Sequence, residues 1–127
     1  MSEKTLGAKK ILVVEDDTFL LGLISGKLIA SGYIALTATD GDQAIKTLED
    51  ETPDLVILDL VLPSTDGYEV LDKIKNSSKM AIPVFVFSNL SEEKDILKAK
   101  NMGAAEYMVK SSFTLDELMD KIKKLIG

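Results

Sequence analysis

The chain has 127 residues, 46% of them apolar, which favours a single domain around one core. Its net charge of −6 disfavours a nucleic-acid backbone or an anionic membrane as a partner, since both call for a Lys/Arg surface. With no Cys and no His, disulfides, Cys-based zinc or redox centres, His general bases and His-ligated metals are all excluded.

Residues 1–9 are polar and lack the apolar stretch of a signal peptide. No apolar run approaches the roughly 18 residues of a membrane span. The expectation is a soluble, cytoplasmic protein with its folded domain over residues 10–127. The first strand is predicted over 11–14, where Ile11, Leu12, Val13 and Val14 are continuously apolar, as in a parallel strand buried on both faces. A helix over 19–30 follows, and Asp17 suits its N-cap. The second strand is predicted over 33–37. The second helix, over 42–48, has Asp40 to accept a bond from one of its unpaired backbone N–H groups.

The third strand, over 55–58, is again an unbroken apolar run and ends at Asp59. A turn at Pro63, Ser64 and Thr65 leads to Asp66, which can cap a third helix over 68–75. Pro83 precedes a fourth strand over 84–87. The fourth helix, over 92–101 and closed by Gly103, is mostly charged and is expected to be loosely held. A fifth strand over 106–109 precedes a helix over 115–126. That helix opens on the capping box Thr114 to Glu117 and carries the apolar stripe Leu115, Leu118, Ile122 and Leu125. The regular alternation predicts an α/β domain, with a parallel sheet, right-handed crossovers and helices on both faces. No internal repeat, linker or low-complexity tract is present.

In open α/β sheets ligands bind at the carboxyl ends of the strands. The residues there are Glu15 and Asp16 after the first strand, Asp59 after the third, Ser88 and Asn89 after the fourth, and Lys110 after the fifth. If the first and third strands are neighbours, Glu15, Asp16, Asp17 and Asp59 crowd four carboxylates together. Such crowding is costly without a cation among them, and Mg2+ is the divalent ion suited to oxygen ligands and phosphate chemistry. Taken singly, Glu15 and Asp17 read equally well as acids at a helix N-terminus. Lys110 alone reads as a solvated lysine, Ser88 as a loop serine and Tyr107 as a core aromatic. Asp59 is the hardest to explain blandly, because an acid directly after a buried strand needs a partner.

Four pieces of sequence resemble the receiver domain of two-component response regulators, the CheY-like family. They are Ile11-Leu12-Val13-Val14-Glu15-Asp16-Asp17; Asp54-Leu55-Val56-Ile57-Leu58-Asp59-Leu60-Val61-Leu62-Pro63 with Asp66-Gly67; Pro83-Val84-Phe85-Val86-Phe87-Ser88; and Gly103-Ala104-Ala105-Glu106-Tyr107-Met108-Val109-Lys110. Each alone is a weak signal. All four in this order and spacing are a strong one, and they cover the chain from about Lys9 to Leu125. The resemblance implies a five-stranded parallel sheet of order 2-1-3-4-5, a flavodoxin-like three-layer sandwich.

It also implies roles. Asp59 would accept a phosphoryl group from a histidine kinase or histidine phosphotransfer protein. Asp16 and Asp59 would bind Mg2+ directly, Glu15 through water, and Val61 through its backbone carbonyl. Lys110 and Ser88 would contact phosphoryl oxygens. Ser88 and Tyr107 would be the switch pair, and Val61 and Leu90 would flank the path of the attacking water and tune dephosphorylation. Both are apolar here, which implies slow loss of phosphate. The output surface would lie on the fourth helix, fifth strand and fifth helix, with Lys94, Lys98, Lys100, Glu106 and Tyr107 as its surface residues. The protein would be a signalling receiver rather than an enzyme, a monomer or a dimer when phosphorylated, with self-catalysed phosphotransfer and slow autodephosphorylation only.

Charge counting supports the metal separately. A phosphoryl group adds about −2 to Glu15 and Asp16, and Lys110 offsets one unit. Each unbalanced pair at ~4 Å costs roughly 4 kcal/mol at an effective dielectric near 20. One departure from the family stands out: Ser111 follows Lys110 where proline, often in a cis peptide, is usual, so the reach of Lys110 becomes a structural question. A haloacid-dehalogenase-type enzyme would need an Asp at position 61, which is Val61. A flavodoxin would need a hydroxyl- and glycine-rich first loop where Glu15-Asp16-Asp17 stand. No P-loop is present. The remaining alternative is a non-phosphorylated scaffold on the same fold. No effector segment follows the last helix, which fits either a stand-alone regulator or one domain of a longer protein.

Overall fold

A computed structural model describes residues 7–127; residues 1–6, most of the polar N-terminal segment, lie outside the described residues. Five strands alternate with five helices: β1 (Lys10–Val14), α1 (Thr18–Ala30), β2 (Ile34–Ala38), α2 (Gly41–Asp50), β3 (Leu55–Leu58), α3 (Gly67–Lys75), β4 (Val84–Ser88), α4 (Glu93–Asn101), β5 (Glu106–Val109) and α5 (Leu115–Ile126). A 3-10 turn, Lys110–Ser112, joins β5 to α5. The sheet is parallel throughout, in the order β2-β1-β3-β4-β5 expected from the sequence.

The apolar runs explain the layering. Successive side chains of a strand point to opposite faces. Leu12, Val14, Val56, Leu58, Val84 and Val86 pack with α2, α3 and Ala99 of α4 on one side. Ile11, Val13, Leu55, Ile57, Phe85, Phe87 and Met108 pack with α1 and α5 on the other. Both faces are covered, so the strands had no polar side to show in the sequence.

The caps behave as their chemistry predicts. Asp17 accepts from Phe19 and Leu20 N–H, Asp40 from Gln43 and Asp66 from Glu69, and the Thr114–Glu117 box is complete. Gly103 has φ 106°, which suits glycine, just past the end of α4. The second strand starts one residue later than predicted. Tyr33 N–H is taken by the carbonyl of Leu28 as the chain leaves α1, and Ala38 joins the strand instead. The fourth strand runs one residue further than predicted because Ser88 pairs with Val109.

Helix α4 is held by more than its sequence suggests. Only Ala99 is buried and its N-cap Glu92 makes no side-chain bond. Tyr68 of α3, however, donates its hydroxyl toward both the carbonyl and carboxylate of Asp95 at 3.2 Å, and Lys98 Nζ lies 4.1 Å from the Tyr68 ring centroid. Helix α1 carries one charged residue, Lys27, which pairs with Asp116 of α5. Its outer face leaves Phe19, Leu23 and Ile29 exposed. Among the described residues, no helix is long and apolar enough to cross a membrane.

Candidate functional site

Strand register assembles the site. Val14 is paired with Leu58, so the residues that follow them, Glu15 and Asp59, leave the sheet side by side. The backbone fixes each departure: Asp59 N–H donates to Val14 carbonyl at 3.1 Å and Glu15 N–H to Ala38 carbonyl at 3.0 Å. Carboxylate oxygens of Glu15, Asp16 and Asp59 all lie within 4.8 Å of one another. Asp17, grouped with them on sequence grounds, does not join. Its carboxylate turns away to cap α1, so the cluster has three acids rather than four.

Lys110 enters from the end of β5. Its Nζ lies 2.7 Å from Asp59 Oδ2 and 2.5 Å from Glu15 Oε1. The peptide bonds of the described residues are all trans, and with Ser111 in place of proline the 3-10 turn still delivers Lys110 to both acids. The pairing with Glu15 was not anticipated. Glu15 is 2% exposed and also accepts Asp17 N–H at 3.1 Å, so one of its oxygens faces the lysine and the other the backbone. Burial pushes the Glu15 carboxyl above its ordinary range, and Lys110 only partly restores it. Burial works against the Lys110 ammonium too, but its bonds to Asp59 and Glu15 prevail and hold its proton more tightly than usual.

Asp59 is 5% exposed, with its second oxygen accepting Val61 N–H at 3.1 Å. Its neighbours Asp16 and Val61 are exposed, Val61 at 56%, so the cluster opens to solvent on that side. Three carboxylates against one ammonium leave a local charge of about −2. Hard oxygen donors, an open side and a charge deficit are what a divalent cation with phosphate chemistry requires. The donor set fits Mg2+.

Ser88 is fully buried at the end of β4 rather than on a loop, and its Oγ accepts Leu90 N–H at 3.3 Å. Tyr107 is buried against the α2–α3–α4 side of the core, with its hydroxyl donating to Leu90 carbonyl at 2.7 Å. This corrects the expectation that Tyr107 belongs to the surface of the output face. In the described conformation its ring is needed by the core and its hydroxyl has found an acceptor there. Burial, then the charges of Asp95 and Asp59, push its phenol upward. Lys94, Lys98 and Lys100 are exposed, while Glu106 is half-buried and paired with Lys121 at 3.1 Å. Leu90 thus touches both Ser88 and Tyr107 through its backbone, a link that no side-chain motif could announce.

Comparison with known proteins gives one consistent answer. The family model described as response regulator receiver domain matches residues 11–123. The chain is 37% identical over 118 residues to the alkaline phosphatase synthesis transcriptional regulatory protein PhoP of Bacillus subtilis, a match covering 93% of this chain and 48% of PhoP. Among solved structures it is similar to the response regulator TrrA of Thermotoga maritima in complex with Mg2+-BeF, at 37% identity and TM-score 0.81, covering 93% of this chain and 99% of that one. It is also similar to the phosphorylated cyanobacterial phytochrome response regulator RcpA, at 34% identity and TM-score 0.79, covering 93% and 91%. The chain belongs to the response regulator receiver domain family, the signalling modules of two-component systems. It spans about half the length of the curated relatives it matches.

Proposed function

We propose that this receiver is switched by phosphorylation of Asp59. The observation that carries the reading is the three-acid cluster with Lys110 clasped between Asp59 and Glu15. A bound Mg2+ would be held by Asp16 and Asp59, by Glu15 through water and by the Val61 carbonyl, and would supply positive charge against the phosphoryl oxygens.

The chain's own residues account for the rest. An Asp59 carboxylate oxygen forms a bond to phosphorus as the P–N bond of a donor phosphohistidine breaks, the electron pair leaving on the imidazole nitrogen. Lys110 keeps its proton throughout and exchanges part of its contact with Asp59 for a phosphoryl oxygen. Ser88 turns its hydroxyl from Leu90 N–H to a second phosphoryl oxygen, and Tyr107 follows into the space released, changing the α4-β5-α5 face. The apolar Val61 and Leu90 side chains leave the attacking water of hydrolysis without an orienting group, so the acyl phosphate is lost slowly.

Partners follow from the same surface logic. The donor is a histidine kinase or histidine phosphotransfer protein. The exposed apolar side chains of α1, Phe19 foremost, begin three residues after Asp16 and offer it a contact surface. The output partner is a downstream protein or effector domain on the α4-β5-α5 face, and the setting is cytoplasmic. Incubation with a small acyl-phosphate donor and Mg2+, read by intact mass, should add one phosphoryl group to the parent and none to Asp59→Ala. Excess EDTA should abolish the addition. An unlabelled parent would put the scaffold reading ahead.

A further inference from the structure

The loop that follows Asp59 is not free to find its own place. Residues 60–66 leave β3, supply Val61, and re-enter helix at α3, with Gly67 N–H bonded to Leu60 carbonyl at 2.9 Å. Halfway along, Ser64 has φ 62°, which among the described residues is the left-handed conformation of a residue other than glycine. Something must hold it there.

The holder is the N-terminus of α2. Asp42 N–H donates to Ser64 Oγ at 3.2 Å, and that hydroxyl donates onward to Asp40 Oδ1 at 3.3 Å. Thr65 Oγ1 donates to Asp42 Oδ1 at 2.6 Å, and Gly41 N–H reaches Pro63 carbonyl at 3.3 Å. The two backbones touch at Gly41, where an added Cβ would sit 1.7 Å from Thr65 carbonyl oxygen. The anchor is itself rigid, since Gln43 donates both its N–H and its side-chain amide to Asp40 at 2.8 and 3.1 Å.

We infer that Ser64 and Thr65, fastened to Asp40 and Asp42 of α2, are positioning residues for the Mg2+ and phosphoryl site: they fix the loop that presents Val61. Val61 N–H orients the Asp59 carboxylate, so a loop that drifts loses both that bond and the placement of the adjacent backbone. The inference rests on the phosphorylation reading, because it assigns the clasp to metal affinity rather than to stability alone.

Ser64→Gly and Thr65→Val separate these effects. Glycine keeps the left-handed backbone without strain and removes the hydroxymethyl group that carries the clasping hydroxyl. Valine replaces the threonine hydroxyl by a methyl group of the same shape. Calorimetric titration with Mg2+ alone should give the double variant an affinity about 5- to 10-fold weaker than the parent, the size expected for one or two lost hydrogen bonds. The melting temperature in EDTA should fall by no more than the lost bonds account for, about 4–8 °C. Phosphorylation by a small acyl-phosphate donor should slow at limiting Mg2+ and recover at saturating Mg2+, and Thr65→Ser should restore the affinity lost in Thr65→Val. Parent-like Mg2+ affinity in both single variants and the double would overturn the inference while leaving the reading of Asp59 intact. A parent that binds no Mg2+ would overturn both.

Discussion

Asp59→Asn should make the metal-free domain more stable. At the 4.8 Å limit of the cluster, each carboxylate pair repels by about 3.5 kcal/mol at an effective dielectric near 20, so Glu15 and Asp16 together cost Asp59 about 7 kcal/mol. Lys110 at 2.7 Å returns about 6 kcal/mol on the same scale. The two nearly cancel, which leaves the desolvation of a carboxylate that is 5% exposed, a cost of several kcal/mol before relaxation and water entry. Asparagine removes the charge, keeps an oxygen that can accept from Val61 N–H or Lys110, and leaves Lys110 paired with Glu15. The expected gain is about 2 kcal/mol, or about 8 °C in melting temperature for a domain of this size. Thermal and urea unfolding in EDTA at pH 7, followed by circular dichroism, measure it. Mg2+ at about 100 times its Kd should stabilise the parent by about 2.7 kcal/mol and the variant far less. A variant equal to or weaker than the parent in EDTA would refute the claim that desolvation of the buried Asp59 carboxylate costs the metal-free domain more than its contacts return.

Three further outcomes follow from named contacts. Gly67→Ala should destabilise by about 3 kcal/mol or more, because its Cβ would lie 2.3 Å from Asp59 carbonyl oxygen and 2.4 Å from Leu60 Cα, both backbone atoms; chemical denaturation checks this. Val61→Asn with Leu90→Glu should shorten the lifetime of phosphorylated protein by about tenfold or more, since a positioned acid–base group typically contributes about 10²-fold; decay of the phosphorylated mass peak after donor removal is the readout, and an unchanged lifetime contradicts the assignment. Glu15 has its folded pKa raised above the ordinary 4.5 by burial, so its contribution to stability is complete below 4.5 and is lost as pH rises through the folded value. In EDTA the melting temperature of Glu15→Gln relative to the parent should therefore climb from pH 4.5 toward neutrality, and a flat or falling difference would count against that sign.

Where the sequence carried its own physics, it could be read directly. Strands buried on both faces must be continuously apolar, and β3, the Ile11–Val14 run of β1 and the Val84–Phe87 run of β4 are. Caps need a short side chain with an acceptor oxygen, and Asp40, Asp66 and Thr114 supply one at the right offset. The placement of Asp59, Glu15, Asp16 and Lys110 at strand ends was legible because a parallel sheet gathers those ends on one edge. What was not legible depends on side-chain direction or on long-range backbone contacts. Asp17 suited the N-cap of α1 on sequence grounds, but only its side-chain direction shows that it leaves the acidic cluster. Tyr107 is equally at home in core and surface by composition. The clasp of Ser64 and Thr65 onto α2 joins residues 22 to 24 apart through hydroxyls common in any turn. Its one sequence signal was the glycine at position 41, directly after a capping aspartate.

Helix α4 shows how the same features serve rest and change. Its propensity and charge gave it little reason to stay in place, and its own cap adds nothing. Beside the buried Ala99 and the Lys98–Tyr68 contact, two phenol hydroxyls fix its position. Tyr68 reaches Asp95 inside the helix, and Tyr107 reaches the Leu90 carbonyl in the segment that leads into it. Burial, reinforced by Asp95, pushes the Tyr68 phenol to about 12, so it stays a donor across the whole physiological range. Each bond is worth about 1 kcal/mol net. That sum is small enough for a phosphoryl group with its charge-assisted contacts to outweigh, and large enough to define one resting position. An element with a deep apolar stripe, such as α5, could not be moved at that cost, because burying Leu118, Met119 and Ile122 contributes several times more. On the proposed switch, this thin attachment of α4 is what would let phosphorylation of Asp59 be expressed as a change of surface.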